Sequence, residues 1–170
     1  MQPKLPNKTP EDAPNCDPRL PLLALEHRKK NQLMTLGDFS AYNVSVWRLE
    51  NRGNIEYVTA HNRTIAELEE AYPRSDPGKV HASEKVGLHA EVLAAETVFK
   101  RSDVLRGETV ITQIFTERTP CSECSEFLRG IPQSKYVPRY FYLSYSDRAW
   151  QRDRAQGSWG MFLMDCYRLR

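Results

Sequence analysis

Residues 88–101 read LHAEVLAAETVFKR and residues 119–124 read TPCSEC. The first stretch is rich in Ala, Leu, Glu and Val, and its apolar residues Leu88, Val92, Ala95 and Phe99 recur at helical spacing. A helix is expected here, with His89 and Glu91 in its first turn. Between the two stretches, GETVITQIFTER carries Val110, Ile111, Ile114 and Phe115 and reads as a buried strand. In TPCSEC a proline stands where the first turn of a helix tolerates one, so Cys121 and Cys124 open a second helix that Gly130 ends. Two helices separated by a strand, each starting on chemistry-bearing residues, predict an α/β domain whose site lies at helix starts and strand ends.

Upstream, YNVSVWRLE and IEYVTAHN alternate apolar and polar residues on either side of a turn at Asn51-Arg52-Gly53-Asn54, the pattern of a hairpin. Before it, LLALEHRKKNQLM spaces Leu22, Leu25, Leu33 and Met34 as a helix would, with Gly37 as its stop. Residues 1–20 are rich in proline and poor in apolar side chains and read as a linker or tail, leaving 21–170 as one domain. A short helical stretch, TIAELEEAY, and a loop containing Pro73, Pro77 and Gly78 follow the hairpin. Downstream, YVPRYFYLSYS is an aromatic strand, and GMFLMDCYRLR is apolar enough to be strand or helix. The loop from Pro73 to Gly87 and the stretch from Arg129 to Arg139 are expected to frame a cleft.

Composition sets the class. The chain has 170 residues, 40% hydrophobic and 27% charged, which suits a single globular domain. No run approaches the roughly 18 consecutive apolar residues of a membrane span. No charged start, apolar run and small-residue cleavage site mark a secretory signal in this chain. A formal net charge of +2 does not by itself announce nucleic-acid binding. The last third, however, interleaves Arg139, Arg148, Arg152, Arg154, Arg168 and Arg170 with Tyr140, Tyr142, Tyr145, Trp150, Trp159 and Tyr167, a mixture suited to phosphates and stacked bases or, equally, to a solvated face over core aromatics. Four cysteines, one in the proline-rich lead and one in an apolar stretch, do not make a disulfide framework.

His89, Cys121 and Cys124 form a nitrogen and two sulfur donors, a zinc set. Three protein ligands leave a fourth position for water, which is the catalytic pattern. Both thiols sit at a helix start, where the positive end of the helix dipole favours thiolate. Taken singly, CxxC is also a redox pair and HAE an ordinary helix start; together, in this order, they match the H-x-E and P-C-x-x-C signature of zinc nucleobase deaminases, in which the glutamate moves protons and is not a ligand. A closed structural site would need a further donor from His27, His61, His81, Cys16 or Cys166, none of which stands in paired spacing with the motif.

On these residues the chain resembles the cytidine deaminase-like superfamily, over residues from about 40 to 147, with HAE, TPCSEC and the order hairpin, helix, strand, helix, strand as carriers. The resemblance implies a layered α/β/α fold with a central mixed sheet of about five strands flanked by helices. It implies Zn2+ as cofactor, Glu91 as the catalytic residue and His89, Cys121 and Cys124 as ligands. TAHNR resembles the strand end whose asparagine contacts the target nucleotide in nucleic-acid deaminases, which nominates Asn62 with His61 beside it. By the same resemblance the backbones of Ala90 and Thr119 meet the edge of the base, and Tyr145 stacks on it. The chain lacks the FPVGA-like strand of free-nucleoside deaminases, so a polynucleotide is expected, DNA favoured over RNA. The proline-rich lead and C-terminal extension look most like deaminase domains of bacterial polymorphic toxins, which implies secretion within a larger protein, activity in the cytoplasm of a target cell, an immunity protein as partner and a monomer. Two other readings stay open: an adenosine or cytidine deaminase acting on RNA, and a zinc-stabilised binding module without catalysis.

Overall fold

The computed structural model describes residues 15–63, 67, 89–117, 139–142 and 158–169. Among them the chain forms a mixed α/β arrangement of α1 (Arg19–Lys30), α2 (Leu36–Ala41), β1 (Val44–Asn51), β2 (Asn54–His61), α3 (Ala90–Phe99), α4 (Ser102–Leu105), β3 (Val110–Thr116), β4 (Arg139–Tyr142) and α5 (Ser158–Cys166). The strands lie in the order β2-β1-β3-β4; β1 is antiparallel to both neighbours and β4 runs parallel to β3. Four strands are described where the resemblance implies about five.

The hairpin falls where alternation places it. Arg52 and Gly53 both take positive φ, 50° and 84°, the two-residue connection whose twist matches the flanking strands. Because β1 opposes both neighbours, β2 and β3 run the same way, and their carboxyl ends meet the amino end of β1. Val44 stands opposite His61 and Ser45 opposite Thr116. That sheet end collects the polar side chains described below.

Alternation along β1 divides the core in two. Val44 and Val46 pack with Leu20, Ala24 and Leu25 of α1, Phe39 of α2, and Leu163, Cys166 and Tyr167 at the C-terminal helix. Trp47 and Leu49 point the other way, onto Ala94, Ala95 and Val98 of α3 and Ile111 and Ile114 of β3. Each large side chain so buried stabilises the fold by roughly 1.5–3 kcal/mol.

Three local expectations are corrected. Helix α1 ends at Lys30, the chain turns through Gln32 at φ 58°, and Gly37 lies inside a new helix rather than ending the first. Thr35 starts that helix: its hydroxyl accepts from the Asp38 N–H while the Asp38 carboxylate accepts from the Thr35 N–H, a reciprocal cap. On α1 the buried stripe is Leu20, Ala24, Leu25 and Arg28, with Leu22 turned outward at 37% exposure. On α3 the buried stripe is Ala90, Glu91, Ala94, Ala95 and Val98, one position round from the one read through Val92 and Phe99. The apolar C-terminal stretch is helical.

The described part of the proline-rich lead packs onto the sheet. Cys16 is buried, the Asp17 N–H donates to Gln113 Oε1 at 2.9 Å, and the Asp17 carboxylate accepts from Arg48 Nε at 3.2 Å and from the Tyr57 hydroxyl. No helix among the described residues is long and apolar enough to cross a membrane.

Candidate functional site

At the shared end of β1, β2 and β3, Asn43 precedes β1, His61 ends β2 with Asn62 next, Thr116 ends β3 with Glu117 next, and α3 starts with His89 as its cap residue. His89 has extended backbone, φ −74° and ψ 143°, and uses its ring for no cap bond. Glu91, one turn-position inside the helix, is 3% exposed.

A carboxylate so buried needs donors. The Thr116 hydroxyl donates to Glu91 Oε1 at 2.7 Å, and Asn43 Nδ2 donates to the same oxygen at 3.2 Å. Asn43 Nδ2 also donates to Thr116 Oγ1 at 3.0 Å, which closes the triangle. Asn43 is itself held by Asn62: its N–H donates to Asn62 Oδ1 at 2.6 Å, and the Asn62 N–H donates back to the Asn43 carbonyl at 3.3 Å. Asn62 Nδ2 donates to the Ala41 carbonyl at 3.2 Å. Its amide therefore ties the strand end together, with capacity for a second bond at each atom.

His61 lies beside His27 of α1, Nδ1 against Nε2 at 2.8 Å, and meets the Tyr42 ring edge-on at 5.6 Å between centroids. Burial, then the neighbouring His61, pushes His27 down to about 4, and burial likewise lowers His61. One ring donates and the other accepts, so the bond needs at least one of the two neutral. An unfolded chain protonates His27 near 6.5 and the folded chain only near 4. As pH falls through that window the unfolded state binds more protons and stability is lost; above it the effect vanishes. The melting temperature of His27→Gln is therefore expected to fall less steeply between pH 6.5 and 4 than that of the wild type. Equal slopes in a thermal scan would remove the pair as the cause.

Behind this layer lies a second buried carboxylate. Glu117 accepts from Arg28 Nε and Nη2 at 2.9 and 2.8 Å, from the Val44 N–H at 2.8 Å and from the Tyr167 hydroxyl. Arg28 and Glu117 are both fully buried. Burial is the largest influence and opposes the Arg28 cation, but the Glu117 charge and hydrogen bond, with smaller help from Tyr167 and Asp38, together outweigh it and raise the guanidinium pKa. Burial and the Glu117 charge together raise the Tyr167 hydroxyl, which stays protonated as the donor.

The structure thus brings Glu91, Ala90 and His89 to the sheet end that also holds His61 and Asn62. Cys121, Cys124, Thr119 and Tyr145 lie outside the described residues, as do the two cleft-framing stretches except for Arg139. Among the described residues no three of His, Cys, Asp and Glu are grouped to hold a metal. Two of the further donors a closed site would need are committed elsewhere. Cys16 is a free thiol in the core whose pKa burial pushes up to about 12, which keeps it from being a thiolate, and His27 is bonded to His61.

Sequence reasoning missed Asn43, Thr116, Glu117 and Arg28. Asn43 and Thr116 read as ordinary polar residues at strand boundaries, and their partners are 48 and 25 residues away. The one local signal was a Thr-Glu pair directly after the apolar pair Ile114-Phe115. No family model, curated protein or solved structure matches the chain.

Proposed function

We propose that the chain is a zinc-dependent nucleobase deaminase that converts cytosine to uracil in DNA, on a layered α/β/α cytidine deaminase-like fold, acting as a toxin domain with an immunity protein as partner. The observation that carries the reading is Glu91: a carboxylate buried in the first turn of α3, two positions from His89, and fixed by donors from two strand ends. The donor set of His89, Cys121 and Cys124 fits zinc chemically, and Cys121 follows Thr116 by only five residues. Glu91 fits the part of the motif that is not a ligand, since its Oε1 is engaged by protein donors.

When bound, the metal supplies the Lewis acidity that makes water nucleophilic near neutral pH. The chain's own residues handle the protons. Glu91 takes the proton from the attacking water and gives it to N3, then passes one to the departing amine. The C4–O bond forms, the C4–N bond breaks, and uracil and ammonia leave. Asn62 and His61, with Tyr145, position the nucleotide; the backbones of Ala90 and Thr119 meet the base edge; arginines of the C-terminal third hold phosphates, so affinity falls as salt rises.

The test is incubation of zinc-loaded protein with matched single-stranded DNA, double-stranded DNA and RNA, followed by sequencing. C-to-T change in DNA is the expected result. A-to-G change confined to RNA would replace cytosine by adenosine as substrate, and no change in any polymer would overturn the deaminase reading.

A further inference from the structure

Resting on the deaminase reading, we propose that Thr116 and Asn43 are positioning residues that hold the Glu91 carboxylate through Oε1 and so fix where it meets the protons it transfers. A carboxylate oxygen accepts two hydrogen bonds in its plane, and Oε1 receives two, from Thr116 Oγ1 at 2.7 Å and Asn43 Nδ2 at 3.2 Å. Both donors are themselves buried, 1% and 7% exposed, so water does not compete for them. Losing either donor would leave a buried polar group short of a bond in a dry site, so the two contacts hold the carboxylate where it stands.

The donors are on rigid supports. Thr116 is the last residue of β3, paired to Ser45 on one side and to Tyr142 on the other. Asn43 is locked to Asn62 through two bonds, N–H to Oδ1 at 2.6 Å and carbonyl to N–H at 3.3 Å. Two donors from different strand ends hold that one oxygen from two directions. Proximity then does the rest: a shift of about 1 Å at a proton-transferring group costs on the order of a hundredfold in rate. Asn62 acquires a second task, since its side chain orients Asn43 as well as facing the end of the sheet.

The decisive variants are Thr116→Val, which keeps the shape and removes the hydroxyl, and Thr116→Ser, which keeps the hydroxyl. With Glu91→Gln as reference, deamination kinetics, zinc content by metal analysis and thermal unfolding are measured on each. Thr116→Val is expected to lower kcat by roughly tenfold to a hundredfold, with KM and bound zinc unchanged, and Thr116→Ser to restore most of it. Unchanged kcat in Thr116→Val, a loss equal in Val and Ser, an effect on KM alone, or loss of zinc would each overturn the inference. If Glu91→Gln is inactive while Thr116→Val is fully active, only this inference falls. If the wild type deaminates nothing, the deaminase reading falls and takes it along.

Discussion

Glu91→Gln is expected to lower deamination by two to four orders of magnitude, roughly the worth of a positioned acid–base group, while the protein melts within a few degrees of wild type. The two halves of the expectation have one structural origin. Glutamine keeps an oxygen where Oε1 stands, so Thr116 and Asn43 still find their acceptor, at 2.7 and 3.2 Å in the wild type, and the buried triangle survives. What glutamine lacks is an oxygen that can gain and lose a proton, and in the proposed reaction Glu91 is needed twice, at N3 and at the leaving amine. Sequencing of treated DNA gives the first half and a thermal scan the second. A variant that deaminates at the wild-type rate would remove Glu91 from the chemistry; one that fails to fold would mean that the carboxylate charge itself holds the sheet end.

What the sequence made legible is the part with short-range periodicity. Alternation placed β1 and β2, and Arg52-Gly53 supplied the two positive φ values that their turn requires. β3 was legible from its β-branched and aromatic residues Val110, Ile111, Ile114 and Phe115 rather than from alternation. Helix α3 was legible as a helix but not in its rotation, because apolar residues on more than one side permit more than one buried stripe. The choice is made by the polar triangle, which draws Glu91 inward and with it Ala90, Ala94 and Val98. The end of α1 was misread because a glycine is a strong stop signal, whereas Gln32 at φ 58° and the Thr35–Asp38 cap are weak ones. Most hidden was Arg28. On a helix with His27, Lys29 and Lys30 around it, it reads as solvated surface, and only a carboxylate 89 residues away makes its burial affordable.

Replacing Glu117 by alanine is expected to cost on the order of 3–5 kcal/mol, the usual penalty for removing one partner of a buried ion pair. For a chain of this length that is a fall in melting temperature of roughly 10 °C. Four donors lose their acceptor at once: two guanidinium nitrogens of Arg28, the Val44 N–H and the Tyr167 hydroxyl. Arg28 would remain fully buried, bonded still to the carbonyls of Leu33 and Tyr42 but with no anion. The carboxylate also joins four parts of the fold, α1 through Arg28, β1 through Val44, its own strand β3, and the C-terminal helix through Tyr167. The cause can be separated from the size. If the uncompensated cation is the cost, the double replacement Arg28→Met with Glu117→Leu should melt above Glu117→Ala, because an apolar pair has no charge to strand. If both variants melt alike, the loss lies in the severed connection between elements and not in the desolvated charge. A Glu117→Ala protein that melts at the wild-type temperature would contradict both accounts, and would mean that the end of β3, and Thr116 with it, is held in place by something other than this ion pair.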